Sequence, residues 1–594
     1  MASSTSSSRK RMAGGDGLTN DCWELVISKL EKEKKEEEES NHCLETLSMV
    51  SKQLLSISSS FVHSIKLIHN PSSSPISRLF HRFTNLTSLD LSAFRGGGDI
   101  NALLSRIPPT SVSRLTSLNL SNQQTFPILG LRSILLKNCR LTSLICSNIA
   151  FLKFTDITFI ADSFPFLQHL DLSFPRGGEG ILVVEDDYNN AMNLLPQKLK
   201  LLRSVNLSGN FYINNSSFLQ LCINCEFLQQ VLISRCPFIT HAGIAEAIHH
   251  RPTLNYLSVT NFKEGLELEN VDSYFIDSLT SLNRLTCLDF SFSCITDLML
   301  KAIALHALPL TKLVLQDSYN YTYSGISHLL SKCPTLQHLD LQRANFLNDK
   351  LFNQLCAFLP GLLSINVSSC DKLTNSSFFA LLTNCPLLSE IRMESTDIGL
   401  GPTPSIVDDL LVYPQLKSLH LAYNSHLQDH HINNFASMFP NMQLIDLSFC
   451  HYIFQHGIAV LLKRCPKITH FKFVGFPHAK LRSINSEASI LEVLNLAHSR
   501  IDDEGLYQIS KTCPQLLQLD LEHCHNVTEK GVQLAVENCT RLREINLQHC
   551  HKVSTDIVSQ MIFTRPSLRK IIAPPHFHPR DCDRKLLFER CLVF

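Results

Sequence analysis

Apolar residues recur along this chain as a triplet, L-x-x-L-x-L, in nineteen copies whose centres advance by close to 26 residues. The centres are Leu89, Leu118, Leu144, Leu170, Val205, Val231, Leu257, Leu288, Leu313, Leu339, Ile365, Ile391, Leu419, Ile445, Phe471, Leu494, Leu519, Ile545 and Ile571. Leu stands three residues before the centre in seventeen copies, Met442 and Ile468 in the other two, and none of the 57 triplet positions is charged. Within one copy, strand alternation points Leu339 and Leu341 inward and His338, Asp340 and Gln342 outward. Cys333-Pro334 ends the preceding helix, because Pro has no N–H to donate. After the strand, Ile239-Thr240-His241-Ala242-Gly243-Ile244 and Val527-Thr528-Glu529-Lys530-Gly531-Val532 supply an apolar residue, a Thr to cap free amides, and a new helix.

A strand and a helix in every 26 residues predict an α/β leucine-rich-repeat solenoid. Its parallel strands would line the concave face of a horseshoe and its helices the convex face. Such an array grows by units that touch only their neighbours, so 594 residues need not imply several globular domains. The expected organisation is a flexible Ser-rich tail at 1–17, a small helical segment at 18–58, and about 19 repeats with a C-terminal cap at 59–594. One step widens to 35 residues, and Pro175, Gly177, Gly178 and Gly180 there predict a mobile loop within Phe174–Leu199.

Charge removes some function classes. With 53 basic and 53 acidic residues the net charge is zero, so no global field gathers nucleic acid or an anionic membrane. No apolar run reaches the roughly 18 residues of a membrane span, and residues 1–17 lack the apolar core of a signal peptide. The 21 cysteines recur at repeat positions: Cys236, Cys370, Cys450, Cys524 and Cys550 each follow a triplet centre by five residues. This is the behaviour of small buried side chains, and it points to a reducing compartment, cytoplasm or nucleus.

Ahead of the repeats, Leu18 to Leu30 forms an amphipathic pattern with Cys22, Leu25, Val26 and Leu30 on one face. A second pattern runs through Leu44, Leu47 and Val50. Glu31 to Ser40, with six Glu and three Lys, reads as a solvated connection. Two such short helices carry more apolar surface than they can bury, which implies a partner.

The segment Leu18–Leu30 resembles the opening helix of an F-box, and Leu44–Leu54 resembles the L-x-x-L-S-x-V motif that follows it. Thr19, Ser51 and Leu54 depart from the usual Pro, Cys and aromatic residue. Together with the cysteine-containing repeats, the chain resembles plant F-box/leucine-rich-repeat proteins. The resemblance implies a non-enzymatic substrate receptor of an SCF-type ubiquitin ligase. Leu18, Cys22, Leu25, Val26, Leu30, Leu44, Leu47 and Val50 would bind a Skp-type adaptor, which links to the cullin, and the repeats would hold a target protein. A ligand-dependent receptor and a scaffold without ubiquitin function are the alternatives.

No nucleophile elbow, P-loop or series of paired metal ligands occurs, so neither catalytic residues nor a cofactor or metal is expected. His523-Cys524-His525 and His549-Cys550-His551 lie one repeat apart and are read as structural stacking. Asp90, Asp171, Asp289, Asp340, Asp446 and Asp520 form a column just after the centres, ordinary for the repeat. Arg392, His420 and Lys472 interrupt that column, with His470, Tyr423 and Phe449 nearby. These six residues are the expected target- or ligand-binding patch, suited to an anionic group.

Overall fold

The computed structural model describes residues 20–33, 44, 47–48, 50–67, 76–94, 99–137, 140–175, 185–260, 273–402, 412–476, 490–578 and 592–593. The chain divides into two compact units, Met1–Ser121 with Pro127–Leu144, and Asn122–Phe126 with Ile145–Phe594.

The first unit opens with the helix Asn20–Glu33 and continues through the helix Lys52–Phe61, capped by Ser51, whose Oγ accepts from Leu54 N–H at 3.1 Å. Ile27, Leu44 and Ile57 form a small buried core, with Trp23, Leu47, Phe61 and Val62 packed around it. Only two residues separate the second helix from the strand Ser64–Lys66, which pairs in parallel with Ser88–Asp90, and that with Ser117–Asn119. Val62, Ile65 and Leu67 therefore form a further triplet, one step before the first one read from the sequence. The expected boundary at residue 58 falls inside the helix Lys52–Phe61. That helix is tied to the next repeat: Arg82 Nε donates to Ser59 Oγ at 3.2 Å, and Asn85 Nδ2 to Ser60 O at 2.8 Å.

In the second unit an unbroken parallel sheet runs from His169–Asp171 to Leu592–Val593, each strand in register with the next. Triplet centres pair with triplet centres, as Leu339 with Ile365 and Ile391 with Leu419. The architecture is the leucine-rich-repeat solenoid. Its core lies between sheet and helices: Leu336, Leu339 and Leu341 on the strand side and Ile326, Leu329 and Leu330 of the helix Tyr323–Lys332 are all buried. Full burial stabilises each such side chain by about 1.5–3 kcal/mol, and Leu339→Ala would cost about 2–5 kcal/mol.

Two repeat positions have plain physical roles. Five residues after the centre stands a buried donor to the preceding repeat: Cys450 Sγ reaches Leu421 O at 3.1 Å, Cys550 Sγ reaches Leu521 O at 2.9 Å, and Asn424 Nδ2 reaches Met393 O at 2.7 Å. Thiol, amide and hydroxyl all fit because each is small and can donate. One residue after the centre, the acid closes the turn, as where Asp446 Oδ1 accepts from Ser448 N–H at 3.0 Å and Asp520 Oδ1 from Glu522 N–H at 3.0 Å.

The widened step is not a loop throughout. Glu185–Lys198 is a helix, and its Tyr188 ring stacks on Tyr212 at 3.8 Å, so this stretch supplies the repeat's own helix. Residues 176–184, with Gly177, Gly178 and Gly180, lie outside the described residues. No helix among the described residues is long and apolar enough to cross a membrane.

Candidate functional site

On the N-terminal helices, the described apolar residues separate into two sets. Ile27 and Leu44 are buried in the small core and Leu47 is half-buried beside it, whereas Cys22, Leu25, Val26 and Val50 are exposed. Leu25 is 62 % exposed and Val50 68 %. Leu44, expected at the partner surface, instead closes the pair's own core. Ile27 follows the same logic, one residue round the helix from Val26. Leu18, and the side chain of Leu30, lie outside the described residues.

The second candidate lies on the sheet of the second unit. The strands Glu390–Arg392, Ser418–His420, Leu444–Asp446 and His470–Lys472 are consecutive, and Arg392, His420, Asp446 and Lys472 pair along one row. Arg392 and Lys472 are three strand steps apart, on the order of 14 Å, and do not converge on one small group. Carboxylates fill the space between. Arg392 Nε donates to Glu390 Oε1 at 2.8 Å, and Lys472 Nζ lies 4.0 Å from Asp446 Oδ2.

His420 is only 5 % exposed. Its Nε2 lies 3.0 Å from Ser418 Oγ and 3.8 Å from Glu390 Oε1, and its Nδ1 lies 3.8 Å from Glu394 Oε1. Burial, then the positive charge of Arg392, pushes its pKa down to about 4, so the imidazole is neutral at neutral pH. Burial also raises the carboxyl of Glu390, but the hydrogen bond and charge of Arg392 outweigh it and hold that group below the ordinary range. Glu394 is raised, by burial and then by Asp446. Two cations thus face three carboxylates around a neutral His, and the patch expected to suit an anion is not basic.

Tyr423 and Phe449 stand apart from the row, at the turns after their strands. Both take positive φ, 62° and 57°, and their rings stack at 4.6 Å and 13°. Tyr423 N–H donates to Ser448 O at 2.8 Å and Phe449 N–H to Val474 O at 2.7 Å, so the left-handed turn carries its own ladder. Gly475 holds the same turn position in the next repeat with φ 75°, and a Cβ there would run into the Phe449 ring. His470 is half-buried, with Nδ1 2.9 Å from Thr469 Oγ1.

Further along, His498, His523 and His549 stack in sequence at 4.3 and 4.2 Å, while Cys524 and Cys550 point into the core. Stacking is the arrangement expected for the His-Cys-His pair. Glu390, Glu394 and Ser418 were not singled out from the sequence. Reading the alternate positions Glu390, Arg392 and Glu394 together would have found the two glutamates.

No family model matches the chain. F-box protein MAX2 homolog A of Petunia hybrida is 22 % identical over 301 residues, 48 % of this chain and 38 % of that protein. F-box/LRR-repeat protein 4 of Bos taurus is 24 % identical over 208 residues, 32 % of each chain. F-box/LRR-repeat protein 17 of Arabidopsis thaliana is 23 % identical over 259 residues, 38 % of each. The chain spans about a third of the length of these curated relatives. Among solved structures, the yeast Rad7 and Elc1 complex aligns at 16 % identity and a TM-score of 0.43, covering 74 % of this chain and 94 % of that one. The chain is therefore similar to F-box/leucine-rich-repeat proteins.

Proposed function

We propose that this chain is the substrate-recognition subunit of an SCF-type cullin ubiquitin ligase. In this reading the N-terminal helices bind a Skp-type adaptor and the repeats hold a target protein for ubiquitination and proteasomal degradation. The chain performs no bond-breaking chemistry. It acts by holding the target's lysines near a charged conjugating enzyme, which raises their effective concentration.

One observation carries the reading. Cys22, Leu25 and Val26 on the first helix, and Val50 in the turn before the helix Lys52–Phe61, remain exposed around a core already closed by Trp23, Ile27, Leu44 and Ile57. Apolar side chains left over after the core is complete fit a partner surface. The F-box resemblance of Leu18–Leu30 and Leu44–Leu54 and the names of the similar proteins support the identity of that partner. Mixing the purified chain with a recombinant Skp-type adaptor tests it: co-elution as one complex on size exclusion is the expected result, and separate elution at micromolar concentrations contradicts it.

For the target, the outward row around Arg392, His470 and Lys472, with the Tyr423–Phe449 stack, is the proposed contact surface. Its mixed charges suit a protein face of alternating sign. Proximity labelling with the adaptor-binding helices disabled would identify the target, and Arg392→Glu with Lys472→Glu should then weaken its capture.

A further inference from the structure

We infer that Glu394, His420 and Asp446 form a binding site for a divalent transition-metal ion of the zinc class. One ligand atom from each of the three lies within 4.8 Å of the others. They come from three neighbouring repeats held in strict register, so the sheet itself fixes their spacing.

The hydrogen-bonding pattern leaves a gap where these atoms meet. In the tautomer that would take a metal, Nε2 of His420 donates to Ser418 Oγ, 3.0 Å away, with Glu390 Oε1 at 3.8 Å. Nδ1 then turns a lone pair toward Glu394 Oε1 at 3.8 Å, beyond hydrogen-bond distance. Asp446 brings a second carboxylate, with Oδ1 engaged by Ser448 N–H at 3.0 Å and Oδ2 4.0 Å from the Lys472 ammonium. Three acceptors thus converge, with the Lys472 ammonium beside them at 4.0 Å from Asp446 Oδ2. A cation satisfies all three at once.

The donor set is specific. One neutral imidazole and two carboxylates are ligands that zinc, cobalt and manganese accept, and three protein ligands leave a position open. Ser418 and Glu390 act behind the imidazole as positioning groups, fixing tautomer and ring orientation as outer partners of metal-bound His do. Lys472 occupies the approach to Asp446, and an entering ion displaces it.

The test uses the full chain, stripped with chelator and titrated with Zn2+ by calorimetry and with Co2+ by visible absorption. Glu394→Gln and Asp446→Asn should each weaken Zn2+ by at least about tenfold, Ser418→Ala by about tenfold, and Lys472→Met should tighten it. Glu394→Gln, Asp446→Asn and Lys472→Met should keep the native thermal midpoint in the metal-free state, and Ser418→Ala, which leaves the buried His420 Nε2 without its partner, should lower it slightly. A second group, His498, Glu522 and His523, also brings ligand atoms within 4.8 Å, so His498→Ala with His523→Ala is the control and should leave the titration unchanged. Absence of a Co2+ spectrum in the native chain overturns the assignment. So does a titration that survives Glu394→Gln and Asp446→Asn, or one abolished by the His498/His523 double variant.

Discussion

The carboxylate of Asp503 accepts two hydrogen bonds from Thr528, one repeat later: from the backbone N–H at 2.8 Å and from the hydroxyl at 2.6 Å. Thr528 Oγ1 in turn accepts from Lys530 N–H at 3.3 Å and starts the next helix. Asp297 with Thr322 and Asp349 with Thr374 repeat the arrangement. Gly531 belongs to the same joint, because a Cβ there would collide with the Asp503 carboxylate.

Thr528→Val should therefore cost about 1 kcal/mol, the usual worth of a helix cap. Gly531→Leu should cost more, about 1–3 kcal/mol, through overpacking against Asp503. Thermal melts check both; an unchanged midpoint in Gly531→Leu would show that the joint has slack.

The recurring cysteines give a second outcome. Burial pushes the thiols of Cys450 and Cys550 up to about 12, and both already donate to a backbone carbonyl. Cys22 is exposed. Brief labelling of the native chain with a thiol reagent, read by mass spectrometry, should modify Cys22 and leave Cys450, Cys524 and Cys550 untouched until denaturant is added. Native-state labelling of Cys550 at the rate of Cys22 would contradict the buried-donor role.

His431 predicts a pH dependence. Gln428 N–H donates to its Nδ1 at 3.2 Å, a bond only the unprotonated nitrogen can accept. Burial, and then the neighbouring His430, lowers its pKa from 6.5 to about 4. The unfolded chain thus takes up the proton first. The stabilisation is complete above pH 6.5 and is lost as pH falls toward 4, at about 1.4 kcal/mol per pH unit for each such imidazole. The thermal midpoint should drop between pH 7 and pH 5, and His431→Asn, which can still accept, should flatten part of that slope. An identical slope in the variant would remove His431 as its source.

The repeat was legible because each triplet obeys two constraints together, a buried period of two within the strand and an obligatory spacing between units. All nineteen centres lie in strands. The strand at Ile65 is less legible because Val62 replaces Leu at its first position. The strand Leu592–Val593 has Arg590 where a Leu normally stands. Site residues were less legible. Arg392 and Lys472 stand out as exceptions in a column, but their electrostatic meaning depends on Glu390 and Glu394, two residues either side of Arg392, and on Asp446, which the register brings beside Lys472. Burial of His420 is likewise a property of its neighbours and not of its own position in the triplet.

Adaptor binding by the N-terminal helices is the central claim, and the variant Leu25→Asp with Val50→Asp tests it most directly. Both side chains are exposed, so the charges should not disturb the core of Ile27, Leu44 and Ile57. Calorimetric titration with the Skp-type adaptor should show tight binding by the native chain and at least a hundredfold loss in the variant, of the size expected when two anchor residues are removed, with the melt unchanged. Equal affinity in the two proteins, or no binding by the native chain, would contradict the account.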